Sequence, residues 1–138
     1  MLRRTEVVEK SCAKLTREKS HMDDSHGHFV WYELATTDVE AAKDFYTSVV
    51  GWSAQDMPGA AYTLFIAAEA PVCGLISMPA GAREEGYRPT WLGYIGVDDV
   101  DFAAERIVQL GGKIHVPPRV IANISCIAIA LDPQMVSF

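Results

Sequence analysis

The stretch FVWYELATTDVEAAKDFYTSVVGW, residues 29–52, decides the fold class. Its first part, residues 29–34, is rich in aromatic and β-branched side chains and predicts a strand. The following TDVE, residues 37–40, has the spacing of a capping box, in which Thr37 and Glu40 each satisfy a free backbone amide at the start of a helix. Apolar residues then recur at helical spacing as far as Gly51, which can adopt the left-handed conformation that ends a helix. The stretch therefore predicts one strand followed by one helix.

The same order of elements returns later in the chain, in YIGVDDVDFAAERIVQLGGKIHVPP, residues 94–118. This weak internal repeat aligns Asp38 with Asp99, and Asp98 or Asp99 is expected to cap a second helix that ends at Gly111-Gly112. Short apolar runs predict further strands, at residues 62–67, 72–78, 91–97, 114–116, 124–131 and 135–138. The sequence thus predicts an α+β fold of two βαβββ modules, about residues 28–80 and 90–138, with one helix on one face of each curved sheet and a cleft on the other.

Composition limits the classes of partner. The 138 residues suit one domain, here 28–138, and no apolar run approaches the ~18–20 residues that a membrane helix requires. Twelve basic and eighteen acidic side chains give a net charge of −6, and the acidic excess lies in residues 28–138. Because binding to nucleic acid depends on clustered Lys and Arg, we expect neither a nucleic acid nor a membrane as partner.

The N-terminal segment and the cysteines indicate where the folded part of the chain begins and which redox compartment it occupies. Residues 1–27 are charged and lack strong periodicity, so a flexible tail is predicted, with Met22 as a candidate natural start. Cys12, Cys73 and Cys126 are an odd number without a Cys-x-x-Cys pair, which indicates free thiols in a reducing, cytoplasmic compartment. Cys73 and Cys126 lie in apolar runs and are expected to be small buried hydrophobic groups.

Three segments resemble the vicinal oxygen chelate superfamily, which includes glyoxalase I, extradiol dioxygenases, fosfomycin-modifying enzymes and bleomycin-binding proteins. They are the two stretches quoted above and ALDPQ, residues 130–134. The resemblance covers roughly residues 28–138 and implies paired βαβββ modules around a ligand cleft. It also implies a homodimer, because exposed sheet edges in these proteins are commonly paired. It does not identify a reaction.

Metal-dependent members of that superfamily hold a divalent ion with His or Glu side chains on cleft-facing strands. The resemblance places the corresponding positions of this chain at Trp31, Gly74 and Leu92, with a fourth just beyond Phe138. A divalent ion needs several N, O or S donors at roughly 2.0–2.6 Å, which indole, hydrogen and isobutyl groups do not supply. We therefore expect no metal and no other cofactor at the usual site.

A second set of candidate metal ligands lies in the tail, where Asp23 and Asp24 stand among His21, His26 and His28. Binding there would have to offset the entropy of ordering a flexible segment, so adventitious binding is the preferred interpretation.

Strand alternation sorts the cleft residues. Phe29, Trp31 and Glu33 are predicted to share the cleft face, and Val30, Tyr32 and Leu34 the helix face. The predicted ligand-binding residues are Trp31, Glu33, Tyr62, Leu92 and Tyr94. Aromatic walls of this kind suit a flat apolar or cationic ligand.

Glu33 is the polar residue of interest in this set. Desolvated by aromatic neighbours, its carboxylate could act as a general base or pair with a cationic ligand; otherwise it is a solvated carboxylate at the rim. Two classes of function stay open: a metal-free protein that binds a small organic ligand, or an enzyme. The enzyme would be a metal-dependent lyase or dioxygenase with unusual ligands, or a metal-free one that uses Glu33. A pure scaffold is the third interpretation.

Overall fold

The computed structural model describes Cys12, residues 25–121 and residues 125–138. The described chain forms two compact units, one spanning Phe29–Ile95 and the other combining Gly96–Phe138 with the N-terminal residues up to His28. The strands are β1 (Phe29–Thr36), β2 (Ser53–Asp56), β3 (Tyr62–Ala67), β4 (Ala70–Ser77), β5 (Thr90–Ile95), β6 (Lys113–Ile121) and β7 (Ser125–Leu131); the helices are α1 (Val39–Val50) and α2 (Val100–Gln109). The predicted α+β class is confirmed.

The unit Phe29–Ile95 contains a five-stranded mixed sheet in the order β2-β3-β4-β1-β5. Strand β1 lies between β4 and β5, parallel to β4 and antiparallel to β5. Helix α1 covers one face, where Leu34, Phe65, Cys73 and Leu75 form the buried core. The side chains packed around that core are Val39, Ala42, Tyr46, Trp52 and Val72. Since the core side chains occupy one face, strand alternation directs their neighbours to the other.

The start of α1 differs in one residue from the sequence prediction. Asp38, not Thr37, is the N-cap, and its carboxylate accepts a hydrogen bond from the amide of Ala41 at 2.9 Å. The carboxylate of Asp38 therefore takes the role that the capping box assigned to Thr37. The helix ends as predicted at Gly51, whose φ of 77° lies in the left-handed region.

The second unit pairs β6 with β7 and carries α2, which Asp99 caps by accepting from the amide of Phe102. The strand predicted at residues 135–138 is replaced by an isolated bridge between Leu131 and Ser137. The reason is local: the carboxylate of Asp132 accepts from the amides of Gln134 and Val136 and holds a tight turn. The residues in this turn are therefore not available to form a longer strand.

The prediction of three free thiols is wrong. Cys12 and Cys126 form a disulfide across a sequence separation of 114 residues, and Cys73 alone among the three is free, buried in the core. Because disulfides persist in oxidising environments, the cysteine count no longer supports a reducing compartment. The predicted tail lies outside the described residues apart from Cys12 and residues 25–27. In the described part of the chain, no helix is long and apolar enough to cross a membrane.

Candidate functional site

The candidate site lies on the face of the five-stranded sheet opposite α1, called here the site face. The register of β1 sets it: Trp31 is opposite Tyr94, and Glu33 stands between Leu92 on β5 and Gly74 on β4. Tyr62 enters from β3. The structure thus brings together all five predicted ligand-binding residues of this unit.

Phe29 does not belong to that group, so its predicted place on the site face is wrong. The pairing of β1 with β5 shifts by one residue between Phe29 and Trp31, which marks a bulge. The bulge turns Phe29 to the helix face, where its ring stacks on Tyr32 at 5.8 Å between centroids. Gly93 lies beneath this pair, and a Cβ there would approach Phe29 to 2.6 Å.

Gly74 lies beneath the side chain of Tyr62. A Cβ on Gly74 would collide with the hydroxyl oxygen and Cζ of the tyrosine, so this arrangement requires glycine at residue 74. The phenol oxygen in turn accepts a hydrogen bond from Trp31 Nε1 at 3.0 Å. Two of the positions that would carry metal ligands in related enzymes are therefore joined by a tyrosine, through its contact with Gly74 and its bond to Trp31.

Glu33 accepts a hydrogen bond on the same face. The Tyr94 hydroxyl donates to Glu33 Oε1 at 3.1 Å. The indole N–H of Trp31 is a donor only, so the Tyr62 oxygen acts as acceptor in that bond and keeps its own proton to donate. The Tyr62 phenol lies close enough to Glu33 for the carboxylate charge to act on its pKa. The Tyr94 phenol thus holds Glu33 in place, and the Tyr62 phenol lies near it.

Burial raises the pKa of Tyr62 to about 12. The bond from Trp31 opposes this shift, while the negative charge of the nearby Glu33 carboxylate adds to it. The Tyr62 hydroxyl is therefore protonated throughout the neutral range and is not a phenolate.

The three positions at which the superfamily resemblance implies metal ligands do not fit a divalent ion. Trp31, Gly74 and Leu92 offer no ligand atom, and the Tyr62 ring covers the position from which a side chain at residue 74 would project. In the described residues no group of three His, Cys, Asp or Glu side chains is placed to hold a metal. His26 of the tail candidates pairs instead with Asp98 at 3.0 Å, and His21, Asp23 and Asp24 lie outside the described residues.

Two surface hollows adjoin the sheet. The first, of about 350 Å³, is apolar and is lined on the helix side by Tyr32, Trp52, Val72, Cys73 and Trp91. The second, of about 340 Å³, adjoins the ion pair of Lys43 and Asp56, and Tyr62 is among its lining residues. In the first hollow Trp52 meets Trp91 edge to face at 6.4 Å, a contact that no pattern within one strand predicts. The site face itself is formed by side chains that project from the strands of the sheet.

Comparison with known proteins identifies the family. A family model described as the glyoxalase/bleomycin resistance protein/dioxygenase superfamily matches residues 27–137. The chain belongs to this superfamily. A putative glyoxylase from Mycobacterium bovis is 38% identical over 107 residues, which are 75% of this chain and 41% of the relative. An anthracycline biosynthesis protein from Streptomyces peucetius is 30% identical over 121 residues, which cover 78% and 44% of the two chains.

The chain therefore spans about two fifths of the length of these curated relatives. Among solved structures, a hypothetical protein from Bacillus halodurans matches with a TM-score of 0.51 at 14% identity, covering 78% of this chain and 85% of that one. At this identity the likeness shows the fold alone.

Proposed function

We propose that this superfamily member binds a small organic molecule on the site face without the divalent ion of its metal-dependent relatives. The observation that carries the proposal is the contact of Tyr62 with Gly74 together with its bond to Trp31. In this arrangement the residues at the metal-ligand positions support an aromatic, hydrogen-bonding surface. Such a surface suits stacking against a planar ligand.

The side chains of the site face have the mixture found in ligand sites. Leu92 is buried, Trp31, Tyr62 and Tyr94 are half-buried, and Glu33 supplies one charged group among them. Binding sites for small molecules are mostly apolar, with a few polar groups that fix orientation. Trp31, Glu33, Tyr62, Leu92 and Tyr94 are the residues that we assign to ligand binding.

One observation favours an enzyme as the second candidate: the 38% identity to a protein named a putative glyoxylase. In that case Glu33 is the candidate base, since it is the carboxylate that the Tyr94 phenol holds on the site face. Without a metal to lower the pKa of the substrate, Glu33 could remove only a substrate proton that is already acidic. Turnover separates this candidate from a binding protein.

The experiment measures bound metal and ligand affinity on the same preparation. We expect less than about a tenth of an equivalent of any transition metal, by inductively coupled plasma mass spectrometry of protein without an affinity tag. Planar aromatic compounds should quench tryptophan fluorescence saturably. Trp31→Phe should abolish the part of the quenching that comes from the tryptophan on the site face.

The matched control is Trp52→Phe, which alters a tryptophan on the opposite face of the same sheet and should leave the ligand affinity unchanged. Near-stoichiometric metal that persists after replacement of His21 and His28 by alanine would contradict the metal-free proposal. Turnover in a glyoxalase assay that Glu33→Gln abolishes would establish the second candidate instead.

A further inference from the structure

Glu33 is a carboxylate whose hydrogen bond leaves its charge unbalanced. Its partner on the site face, the Tyr94 hydroxyl, is a neutral phenol. In the described part of the chain, no ion pair within 4.0 Å involves the Glu33 carboxylate. By contrast, Asp56 on the helix side of the same sheet has Lys43 at 2.8 Å.

The Tyr94 phenol holds this carboxylate in place without filling its acceptor capacity. An ionised carboxylate has about four lone-pair sites, and this donor occupies one of them. The remaining sites can accept N–H or O–H donors from outside the protein. A charged donor gains most, because charge-assisted hydrogen bonds are roughly twice as strong as neutral ones.

The surroundings of Glu33 add a preference for a flat cation. Trp31 and Tyr94 face each other across the β1–β5 pair, two residue positions along the strands from the Glu33–Leu92 pair and on the same face. Aromatic faces attract a cation within about 6 Å of the ring centre, and Trp does so best. A ligand with an aromatic body and a protonated nitrogen can stack on the rings while its nitrogen reaches the carboxylate.

We infer that the site face selects ligands that carry a protonated nitrogen on a planar aromatic frame, and that Glu33 is the residue that recognises the charge. The inference rests on the proposed function, because it names the class of ligand for the same site. Tyr94 then acts as the positioning residue that fixes the carboxylate. Leu92, which is buried beside Glu33, limits its contact with water.

The test uses three planar probes of one size and different charge: 9-aminoacridine, a cation at neutral pH, acridone, which is neutral, and acridine-9-carboxylate, an anion. Affinities are measured by probe fluorescence anisotropy at 150 mM NaCl, where general attraction to a chain of net charge −6 is largely screened. We expect the 138-residue chain to bind 9-aminoacridine at least tenfold more tightly than acridone, and acridine-9-carboxylate most weakly.

Glu33→Gln keeps the shape of the side chain and removes its charge. It should reduce the preference for 9-aminoacridine over acridone to less than twofold while changing the affinity for acridone by less than twofold. The matched control is Asp44→Asn, which removes one exposed negative charge from α1 and should leave the preference intact. Thermal unfolding of each variant checks that it is folded.

The outcomes separate this inference from the proposed function. Equal affinity of the unmodified 138-residue chain for 9-aminoacridine and acridone would overturn the inference and leave the proposed function standing. An undiminished preference in folded Glu33→Gln would overturn the role of Glu33. Failure of all three probes to bind would count against the proposed function itself.

Discussion

At the scale of single residues, the absence of a side chain at Gly74 determines the geometry of the site. We expect Gly74→Ala to displace the Tyr62 ring, because the new Cβ would collide with the phenol. Overpacking of this kind costs about 1–3 kcal/mol, so the free energy of unfolding should fall by that amount. Loss of the bond from Trp31 Nε1 to Tyr62 should also change the tryptophan emission.

A double-mutant cycle tests whether Tyr62 is the cause. Gly74→Ala should destabilise a Tyr62→Ala background much less than the natural chain, because the colliding ring is gone. Equal destabilisation in both backgrounds would show that the collision with Tyr62 is not what requires glycine. Denaturant unfolding followed by circular dichroism measures both differences.

Individual residues also show how much of the site could be predicted from the sequence. Trp31, Glu33, Leu92 and Tyr94 could be assigned to one face because alternation along two strands depends on the backbone alone. The bond between Trp31 and Tyr62 could not be predicted, since it depends on the register of β3 against β4, which places Tyr62 opposite Ile76. No pattern within one strand carries that register.

At the scale of elements, an ion pair joins α1 to the edge of the sheet. Lys43 on α1 lies 2.8 Å from Asp56 on β2, and Asp56 also accepts from the hydroxyl of Thr63 on β3 at 2.6 Å. The bond from Lys43 and then that from Thr63 lower the pKa of Asp56 below its ordinary 3.8. The same pairing, with Glu40, raises the pKa of Lys43 above 10.5.

These shifts give the pair a defined pH dependence. A carboxyl whose pKa is lowered in the folded state adds stability that is fully present above pH 3.8 and is lost as the pH falls through the folded value. Asp56→Asn should therefore lower the melting temperature at pH 6, and the difference from the natural chain should shrink as the pH falls below about 4. Thermal melts between pH 2 and pH 7 measure this, with Asp44→Asn as the exposed acid control. A difference that is constant with pH would mean that the pair adds no stability.

The ends of the helices could be predicted where a single residue determines them. The left-handed Gly51 ends α1 as expected, and Asp99 caps α2, because each feature is local. The bulge that turns Phe29 to the helix face and the turn held by Asp132 were missed. Both depend on competition between a strand and an alternative set of hydrogen bonds, and residue type alone does not show which prevails.

At the scale of the whole molecule, the disulfide between Cys12 and Cys126 links the two ends of the chain. Sequence reasoning missed it because an odd number of cysteines gives no pairing, and distance along the chain carries no information on proximity in space. Alkylation of the unfolded chain should modify one thiol without reductant, that of Cys73, and three after reduction. Three modified thiols before reduction would contradict the disulfide.

The same cross-link predicts a loss of stability on reduction. Closing a loop of about a hundred residues restricts the unfolded chain, and removal of such a link costs about 2–5 kcal/mol. Reduced protein and Cys12→Ser should therefore both melt well below the oxidised chain, and reductant should not lower the melting temperature of Cys12→Ser any further. A chain begun at Met22 lacks Cys12 and should behave like that variant, so binding and metal measurements belong on the longer form. If the oxidised and reduced proteins have the same melting temperature, the disulfide does not restrict the unfolded chain. Any contribution of the N-terminal segment to stability would then come from other contacts.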